Sequence, residues 1–277
     1  MGVQRLIVTG DDFGLTTEVN EAIEAAHCRG ILSAASLMVS APAAKDAIER
    51  AKRLPRLGVG LHLTLVNGRP LLPPERVPDL LGFDGRFMGD LGRAGVRFFF
   101  SPRARKQLAL EIRAQFEAFH ASGLALDHVN AHCHMHMHPT VLSLVIGIGR
   151  EFGLDAIRIP AEPAGFDNSP QAWALRAWAR RLRRRAERAG IRSNDAVLGL
   201  AHSGAMNEAR VLDLLSRLPA GVSEMYFHPA TRKTAALIQE NPAYDYEGEL
   251  AALLSPRVKD ALAALGLAPV AYRDLGA

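Results

Sequence analysis

Short apolar runs alternate with amphipathic stretches along nearly the whole chain. The runs are rich in β-branched residues and have strand length, whereas the stretches between them repeat apolar residues at the helical period. We predict strands at 4–9, 34–39, 57–63, 124–131, 155–159, 195–200, 222–227 and 268–272. We predict helices at 17–29, 42–53, 102–122, 140–152, 170–189, 207–217 and 256–265. This alternation is typical of a parallel sheet with helices outside it, either a barrel or a doubly wound sheet.

One long connection, residues 67–101, interrupts the alternation. It is rich in glycine and proline and ends in Phe98-Phe99-Phe100. A connection of this length is usually a functional insertion or a mobile lid. Because no shift in composition marks a domain boundary, we expect a single domain over 1–277 that carries this insertion.

Five of the ten histidines lie within one short stretch, from His128 to His138. The last four alternate along the chain, and alternate side chains share a face in a strand. Apolar residues lead into the stretch from position 124, and Pro139 suits the first turn of a following helix. We therefore expect the histidines at a strand end and in the loop after it, where functional groups collect in α/β barrels and open sheets.

Two other predicted strands end in residues that can bind a metal. The first strand delivers Asp11 and Asp12, and the third delivers His62. Taken singly, the aspartates could form an Asx turn and the histidine could be a hydrogen-bonded core residue. Together with His132, however, Asp12 and His62 fall at the C-terminal ends of parallel strands and can converge on one rim. One carboxylate and two imidazoles suit a divalent hydrolytic metal and leave positions open for water and substrate.

Two further charged or titratable residues stand out in the strands. His228 directly follows the strand at 222–227. Its role is either that of a general acid that faces the site or that of a hydrogen-bonded rim histidine. Arg158 is a charge inside an apolar strand, and a buried arginine needs a partner. That partner could be Asp11, which the arginine would orient, or a carboxylate in a structural salt bridge.

Composition restricts the class of protein. With 48% hydrophobic and 22% charged residues the chain is an ordinary soluble globule. No apolar run approaches the roughly 18 residues of a spanning helix, and the first run resembles a strand and not a signal peptide. Cys28 and Cys133 are the only cysteines, so no disulfide framework is expected. We therefore expect a cytoplasmic protein.

The net charge of +4 is concentrated in one predicted helix. Residues 176–188 hold seven arginines and one acidic residue and contribute +6, so the rest of the chain sums to −2. Helix 170–189 could be a solvated face or a surface that meets anionic lipid or a phosphate-bearing molecule. Nucleic acid is not an expected partner, because the chain has no recognised binding motif and is acidic elsewhere.

Four motifs in this order resemble the YdjC-like carbohydrate deacetylases, and the resemblance extends over essentially the whole chain. They are Thr9-Gly10-Asp11-Asp12-Phe13-Gly14, Gly60-Leu61-His62-Leu63-Thr64, His132-x-His134-x-His136 and Glu224-x-x-x-His228-Pro229. The segment from Glu249 to Val258 is similar to the closing helix of the family. The stretch 130–136 further resembles the hopanoid-biosynthesis-associated HpnK-like branch.

The resemblance implies a deformed (β/α) TIM-like barrel with about seven parallel strands and metal-dependent removal of N-acetyl groups from amino sugars. It implies one divalent ion, Zn²⁺ or Mg²⁺ with Mn²⁺ as a third option, held by Asp12, His62 and His132. Asp11 would then be the base and His228 the acid. Three other residues would contact the substrate or support the ligands: His134, His136 and Arg158. The family commonly has Asp-Ser where this chain has Asn130-Ala131, which removes a carboxylate near the site.

The HpnK-like branch implies a sugar on a polycyclic lipid as substrate. Phe98-Phe99-Phe100 and helix 170–189 would then contact the inner membrane face. Formation of a homodimer is a further expectation. Two alternatives stay open. One is a metal-dependent hydrolase of a phosphoester or a cyclic amide, and the other is a non-catalytic metal-binding protein, which would need neither Asp11 nor His228.

Overall fold

Eight parallel strands form one curled, half-barrel sheet in the computed structural model, which describes residues 4–166 and 169–276. The strands are β1 (Gln4–Phe13), β2 (Ala34–Leu37), β3 (Gly58–Leu63), β4 (Val129–Ala131), β5 (Ala156–Ile157), β6 (Arg192–Ser193), β7 (Ala196–Leu198) and β8 (Gly221–Phe227). Their order is β6-β5-β4-β3-β2-β1-β8-β7, and every neighbouring pair is parallel. The α/β class and the deformed TIM-like barrel are confirmed, with eight parallel strands where the resemblance implied about seven.

Ten α-helices lie in the described part of the chain. They are α1 (Thr17–Arg29), α2 (Ala44–Lys52), α3 (Leu91–Phe100), α4 (Pro102–Ala121), α5 (Pro139–Gly149), α6 (Pro170–Arg188), α7 (Glu208–Ser216), α8 (Ala235–Glu240), α9 (Tyr246–Leu254) and α10 (Pro256–Ala264). Seven match predicted helices within a few residues, while α3 and α8 were not predicted. The closing helix that the resemblance implied at 249–258 is divided at Ser255 between α9 and α10. None of the helices in this part of the chain is long and apolar enough to cross a bilayer.

Helix α3 forms inside the glycine-rich insertion at 67–101. Asp90 caps it by accepting a hydrogen bond from the N–H of Arg93, and Ala94 and Phe98 bury one face. Capping and burial of an apolar stripe together offset the poor helix propensity of its two glycines. The rest of the insertion contains two short 3₁₀ helices, Pro74–Arg76 and Pro78–Leu80, so it is less irregular than its composition suggests.

The two faces of β1 pack differently. Leu6 joins the large core between the sheet and the helices, whereas Ile7 packs with Tyr272 in a small separate cluster. Because successive strand residues point to opposite faces, Thr9 and Asp11 follow Ile7 on the inner face. The inside of the barrel therefore changes from apolar to polar toward the C-terminal end of β1.

The prediction of a strand at 268–272 is wrong. The segment makes one backbone hydrogen bond to the sheet, from the N–H of Val270 to a β1 carbonyl at 2.9 Å. A 3₁₀ helix, Tyr272–Gly276, then begins. The Asp274 carboxylate accepts the N–H of Ala271 at 2.9 Å and stabilises this turn, so the backbone cannot continue as a strand.

The buried Asp127 carboxylate attaches this C-terminal turn to the barrel. It accepts the N–H groups of Tyr272 at 3.3 Å and Arg273 at 3.1 Å and contacts Nδ1 of His128 at 2.9 Å. Burial raises the pKa of Asp127, but His128 and the two amides outweigh burial and lower it. A lowered folded-state pKa means that the carboxylate stabilises the fold above about pH 3.9, its unfolded value, and that this contribution is lost as the pH falls through the folded value.

Asp127→Asn is therefore expected to lower the free energy of unfolding at pH 7 by about 1–3 kcal/mol, with the difference from wild type shrinking below about pH 4. Urea unfolding between pH 3 and pH 7 measures this. Asp213→Asn, which removes only an exposed i,i+4 ion pair with Arg217, is the control and should change stability little. An Asp127 effect that stays constant down to pH 3 would contradict the linkage.

Candidate metal centre and active-site cleft

A cleft of about 540 Å³ opens at the C-terminal ends of the strands. This is the edge at which α/β barrels and open sheets place their functional groups. Six of its lining residues matter for the argument: Asp11, His62, His132, His134, Tyr226 and His228. They come from the ends of β1, β3, β4 and β8, so the fold brings together parts of the chain that are more than 200 residues apart.

The end of β1 turns sharply between its two aspartates. The pairing of β1 with β2 shifts register between Gly10 and Phe13, and Asp12 has a φ of 60°, in the left-handed region. Such irregularities redirect side chains and are common beside active sites. Here Asp11 points toward the buried Arg158, while Asp12 points toward the two histidines of the cleft.

Asp12, His62 and His132 form a buried group of potential metal ligands. Oδ1 of Asp12 lies 3.3 Å from Nε2 of His62 and 3.2 Å from Nδ1 of His132, and the three ligand atoms are within 4.8 Å of one another. Three donors that converge on one point, one carboxylate and two imidazoles, fit a divalent ion and leave coordination positions open. The expected ligand residues thus lie together, and their role as ligands stays a prediction.

Asn130 sets the orientation of the His62 ring. Its Nδ2 donates to Oδ1 of Asp11 at 3.1 Å and to Oγ of Ser36 at 3.0 Å, so its Oδ1 is the atom left to face His62. That oxygen lies 2.7 Å from Nδ1 of His62 and accepts its N–H. The lone pair of Nε2 is therefore directed toward Asp12, where a metal ion held by these residues would lie. Where the resemblance implies an aspartate, Asn130 still provides the acceptor that the ring needs.

The histidine stretch bends immediately after β4. Cys133 and His134 have φ values of 51° and 54°, which residues other than glycine seldom adopt and which often mark functional sites. His134 consequently lines the cleft beside His132. His136 does not line the cleft, because it is fully buried and its Nε2 bonds to the carbonyl oxygen of Arg158 at 2.9 Å.

The charges of Asp12 and His132 are coupled. Burial raises the pKa of Asp12, but His132 outweighs burial and holds that pKa well below its ordinary value. Burial lowers the pKa of His132, but Asp12 outweighs it and raises that pKa well above the ordinary value. The two side chains are therefore an ion pair when no cation is bound. A bound cation would replace the proton of His132, so its affinity would rise as the pH rises through that pKa.

Arg158 is completely buried and contacts two carboxylates. Its NH1 and NH2 donate to Oδ2 and Oδ1 of Asp11 at 2.5 and 3.1 Å. Its Nε and NH2 donate to Oε2 and Oε1 of Glu224 at 2.9 and 2.7 Å. The arginine thus orients Asp11 and also forms a structural salt bridge, where the sequence left these as alternatives. Burial raises the pKa of Asp11, but Arg158 outweighs burial and lowers it strongly, so Asp11 is ionised.

His228 lies at the end of β8 with its ring against two tyrosines. The ring centroids are 5.5 Å from Tyr226 and 4.8 Å from Tyr244, and the buried Nδ1 has no hydrogen-bond partner among the described residues. The backbone N–H donates to Glu249 on α9, which fixes the chain at this point. Burial raises the pKa of the Glu249 carboxyl. The ring therefore lines the cleft from a fixed backbone position.

His134 contributes a neutral imidazole to the cleft. Its ring lies edge-on to Tyr226 with centroids 5.4 Å apart. Burial, reinforced by the positive charge of Arg158, lowers the pKa of His134 to about 3. At neutral pH the ring can therefore donate one hydrogen bond and accept another but carries no charge.

Sequence reasoning missed several residues of the cleft. Tyr226 could have been found, because it stands two positions before His228 in the same strand and alternate residues share a face. Ser203 and Tyr244 lie in loops without periodicity, and the 3.3 Å contact between their hydroxyls joins segments 41 residues apart. No pattern in the sequence would have indicated them.

The sequence matches the model of a protein family, described as YdjC-like protein, over residues 5–264. A carbohydrate deacetylase of Geobacillus stearothermophilus is 29% identical over 269 residues, which cover 97% of this chain and 96% of that protein. A carbohydrate deacetylase of Brevibacillus brevis is 38% identical over 148 residues, which span only 53% of this chain and 56% of that protein. The matched share of this chain thus differs between the two relatives, 97% for the first and 53% for the second.

A solved structure from Enterococcus faecalis, provisionally described as a cellobiose-phosphate cleavage protein, is also similar. It superimposes with a TM-score of 0.76 at 26% identity, and the match covers 98% of both chains. The two folds are therefore similar over nearly their full lengths. Because the family model also matches far more than half of the chain, this protein belongs to the YdjC-like family.

Proposed function

We propose that this protein removes N-acetyl groups from an amino sugar in a metal-dependent hydrolysis. One observation carries the proposal: the Asp12, His62 and His132 ligand set lies beside an ionised Asp11 that Arg158 clamps at the edge of the same cleft. A protein that only stored or carried a metal would not need that second carboxylate. The relatives named carbohydrate deacetylases support the same reaction.

A divalent ion, Zn²⁺, Mg²⁺ or Mn²⁺, fits the three donors. When bound, it would polarise the acetamide carbonyl and acidify a water in the cleft. The two histidine rings and Asp12 would hold it from the barrel side. The opposite side faces the 540 Å³ cleft, which is large enough for a sugar ring with its acetamide group.

Asp11 would accept the proton of the attacking water. Its Oδ2 receives one hydrogen bond, from Arg158, and a carboxylate oxygen can accept another. The strongly lowered pKa keeps this group ionised but makes it a weak base, so an acidified water is needed for the transfer. Arg158 and Asn130 hold the carboxylate in place, which reduces the reorganisation that proton transfer requires.

His228 would donate a proton to the departing nitrogen. An amide nitrogen leaves poorly as an anion, so protonation must accompany cleavage of the C–N bond. The products are acetate and a free amino group on the sugar. His134, as a neutral donor, and the hydroxyls of Tyr226 and Tyr244 would contact the acetamide or the sugar hydroxyls.

The cleft mouth favours a sugar that is attached to an apolar group. Leu91 of α3 and Leu175 of α6 line the cleft, and both helices also carry exposed aromatic residues. Those residues are Phe99 and Phe100 on α3 and Trp173 on α6. The arginines of α6 add positive charge beside Trp173. We therefore propose an N-acetylglucosaminyl lipid of the hopanoid type as the substrate, met at the anionic inner face of the membrane.

An acetate-release assay on the purified, metal-loaded protein tests the reaction. The panel comprises chito-oligosaccharides, an N-acetylglucosaminyl lipid, p-nitrophenyl phosphate and a cyclic amide. We expect one acetate and one free amine per turnover from the amino sugars and no release of phosphate. Hydrolysis of the phosphoester or of the cyclic amide alone would replace the proposed function with one of the alternative hydrolases.

The same assay tests the lipid substrate. We expect the glycolipid in vesicles that contain anionic lipid to be hydrolysed faster than the same glycolipid in neutral vesicles, and Trp173→Ser to reduce that advantage. Soluble oligosaccharides serve as the control, because Trp173→Ser should leave their turnover unchanged. Equal rates in both kinds of vesicle would reject membrane contact while leaving deacetylation intact.

A further inference from the structure

The two nitrogens of the His132 ring face different carboxylates. Nδ1 lies 3.2 Å from Oδ1 of Asp12, and Nε2 lies 3.7 Å from Oε1 of Glu240. If Nδ1 binds the metal ion, the ring is neutral and its proton sits on Nε2. Glu240 lies within ion-pair distance of that nitrogen, behind the ring and not among the ligands.

His62, the other ligand histidine, has the equivalent arrangement. Its Nε2 faces Asp12 and its far nitrogen donates to Asn130 at 2.7 Å. Histidines that bind metals generally donate their second N–H to a carbonyl or carboxylate, which fixes both the tautomer and the ring orientation. In the described ranges, Glu240 is the carboxylate that lies beside Nε2 of His132.

Glu240 is itself held in place from two directions. It is the last residue of α8, which Thr234 caps and which buries Leu237, so the helix is anchored close to the cleft. Its second oxygen, Oε2, lies 3.3 Å from NH2 of Arg86. Only 15% of its side chain is exposed, so solvent screens these contacts less than those of a surface ion pair.

Arg86 extends this arrangement into the 67–101 insertion. Its Nε and NH2 both donate to the carbonyl oxygen of Asn67, at 2.9 and 2.5 Å. The Asn67 side chain in turn lines the cleft. A continuous series of contacts thus runs from the start of the insertion, through Arg86 and Glu240, to His132.

We propose that Glu240 is a positioning residue for His132 and that Arg86 makes the insertion part of the metal centre. This rests on the proposed metal-dependent function. The carboxylate, 3.7 Å from Nε2, attracts the N–H there and holds the ring so that Nδ1 meets the ion. The insertion, through Arg86, limits the freedom of that carboxylate, which gives the long Gly/Pro-rich segment a role in metal affinity.

Metal binding tests the proposal without recourse to activity. Zn²⁺ affinity is measured by competition with a chelating dye for wild type, Glu240→Ala, Glu240→Gln and Arg86→Gln. We expect Glu240→Ala to weaken binding about 10- to 100-fold, as loss of such partners does elsewhere. Glu240→Gln should recover part of the loss, because an amide oxygen still accepts the N–H, and Arg86→Gln should give a smaller loss. Glu75→Gln, an exposed glutamate of the same insertion, should bind as wild type does.

Stability of the metal-free variants separates positioning from a merely structural role. We expect metal-free Glu240→Gln and Arg86→Gln, which lose the same ion pair, to show the same small change in urea unfolding, while their Zn²⁺ affinities differ. Wild-type affinity in Glu240→Ala would overturn the proposal and leave the metal centre standing. A loss of affinity that only follows a loss of stability would overturn it as well. A wild-type protein that binds no divalent ion would instead reject the metal centre, and this proposal with it.

Discussion

Replacing Arg158 by methionine is expected to lower the free energy of unfolding by about 3–5 kcal/mol. The guanidinium is fully buried and is shared between the carboxylates of Asp11 and Glu224, which are buried as well. Its removal leaves two negative charges in the barrel without a counter-charge. Methionine keeps most of the volume, so the loss reports the charge and not a cavity. Urea unfolding of the metal-free protein at pH 7 measures it.

Two comparisons make this result specific. Arg113→Met breaks an exposed pair with Glu151 and should change stability little. Adding Glu224→Gln to Arg158→Met should recover part of the loss, because one orphaned charge disappears. The Thr9 and Tyr272 hydroxyls donate to different oxygens of Glu224, so in the glutamine one can still donate to the amide oxygen while the other accepts from the amide N–H. A stability of Arg158→Met within error of wild type would show that the cluster does not need its positive charge.

Asp11→Asn is expected to lower kcat by about 10²- to 10⁴-fold, the usual contribution of a general base. Metal affinity should hardly change, because Asp11 contacts Arg158 and Asn130 and is not one of the three converging ligands. The matched variant is Asp12→Asn, one position along the chain. Its main effect should be a loss of metal affinity, since Asp12 provides the only carboxylate of the ligand set.

Steady-state kinetics together with metal analysis of both variants distinguishes the two aspartates. Near-full turnover of Asp11→Asn with metal bound would refute the role of Asp11 as base. Retention of wild-type metal affinity by Asp12→Asn would refute the ligand assignment. The contrast depends on the left-handed turn at Asp12, which sends neighbouring carboxylates to different partners.

The barrel and the position of the site follow from patterns that are local in the sequence. Alternating apolar runs predict parallel strands, and the C-terminal ends of such strands meet at one edge. For this reason Asp12, His62 and His132 could be expected near one another although 120 residues separate the first from the last. The repeat of four alternating histidines was less informative, because the turn at Cys133 and His134 sends His136 away from the cleft.

The residues that support the site could not be predicted from the sequence. Arg86 with Glu240 joins segments 154 residues apart, and Tyr272 with Glu224 joins segments 48 residues apart. No periodic pattern in the sequence indicates such pairs, because the two side chains meet only after the whole barrel has formed. The error at 268–272 has a similar cause, because a single carboxylate, Asp274, turns an apolar stretch that would otherwise continue as a strand.

The central claim is that the Asp12, His62 and His132 group holds one divalent ion on which deacetylation depends. The most direct test strips the protein with a chelator and follows acetate release from an N-acetylglucosamine-containing substrate during stepwise addition of Zn²⁺, Mg²⁺ or Mn²⁺. We predict no release by the stripped protein and a linear recovery that ends at one ion per chain. Full acetate release by the stripped protein, or none at any metal content, would contradict the account.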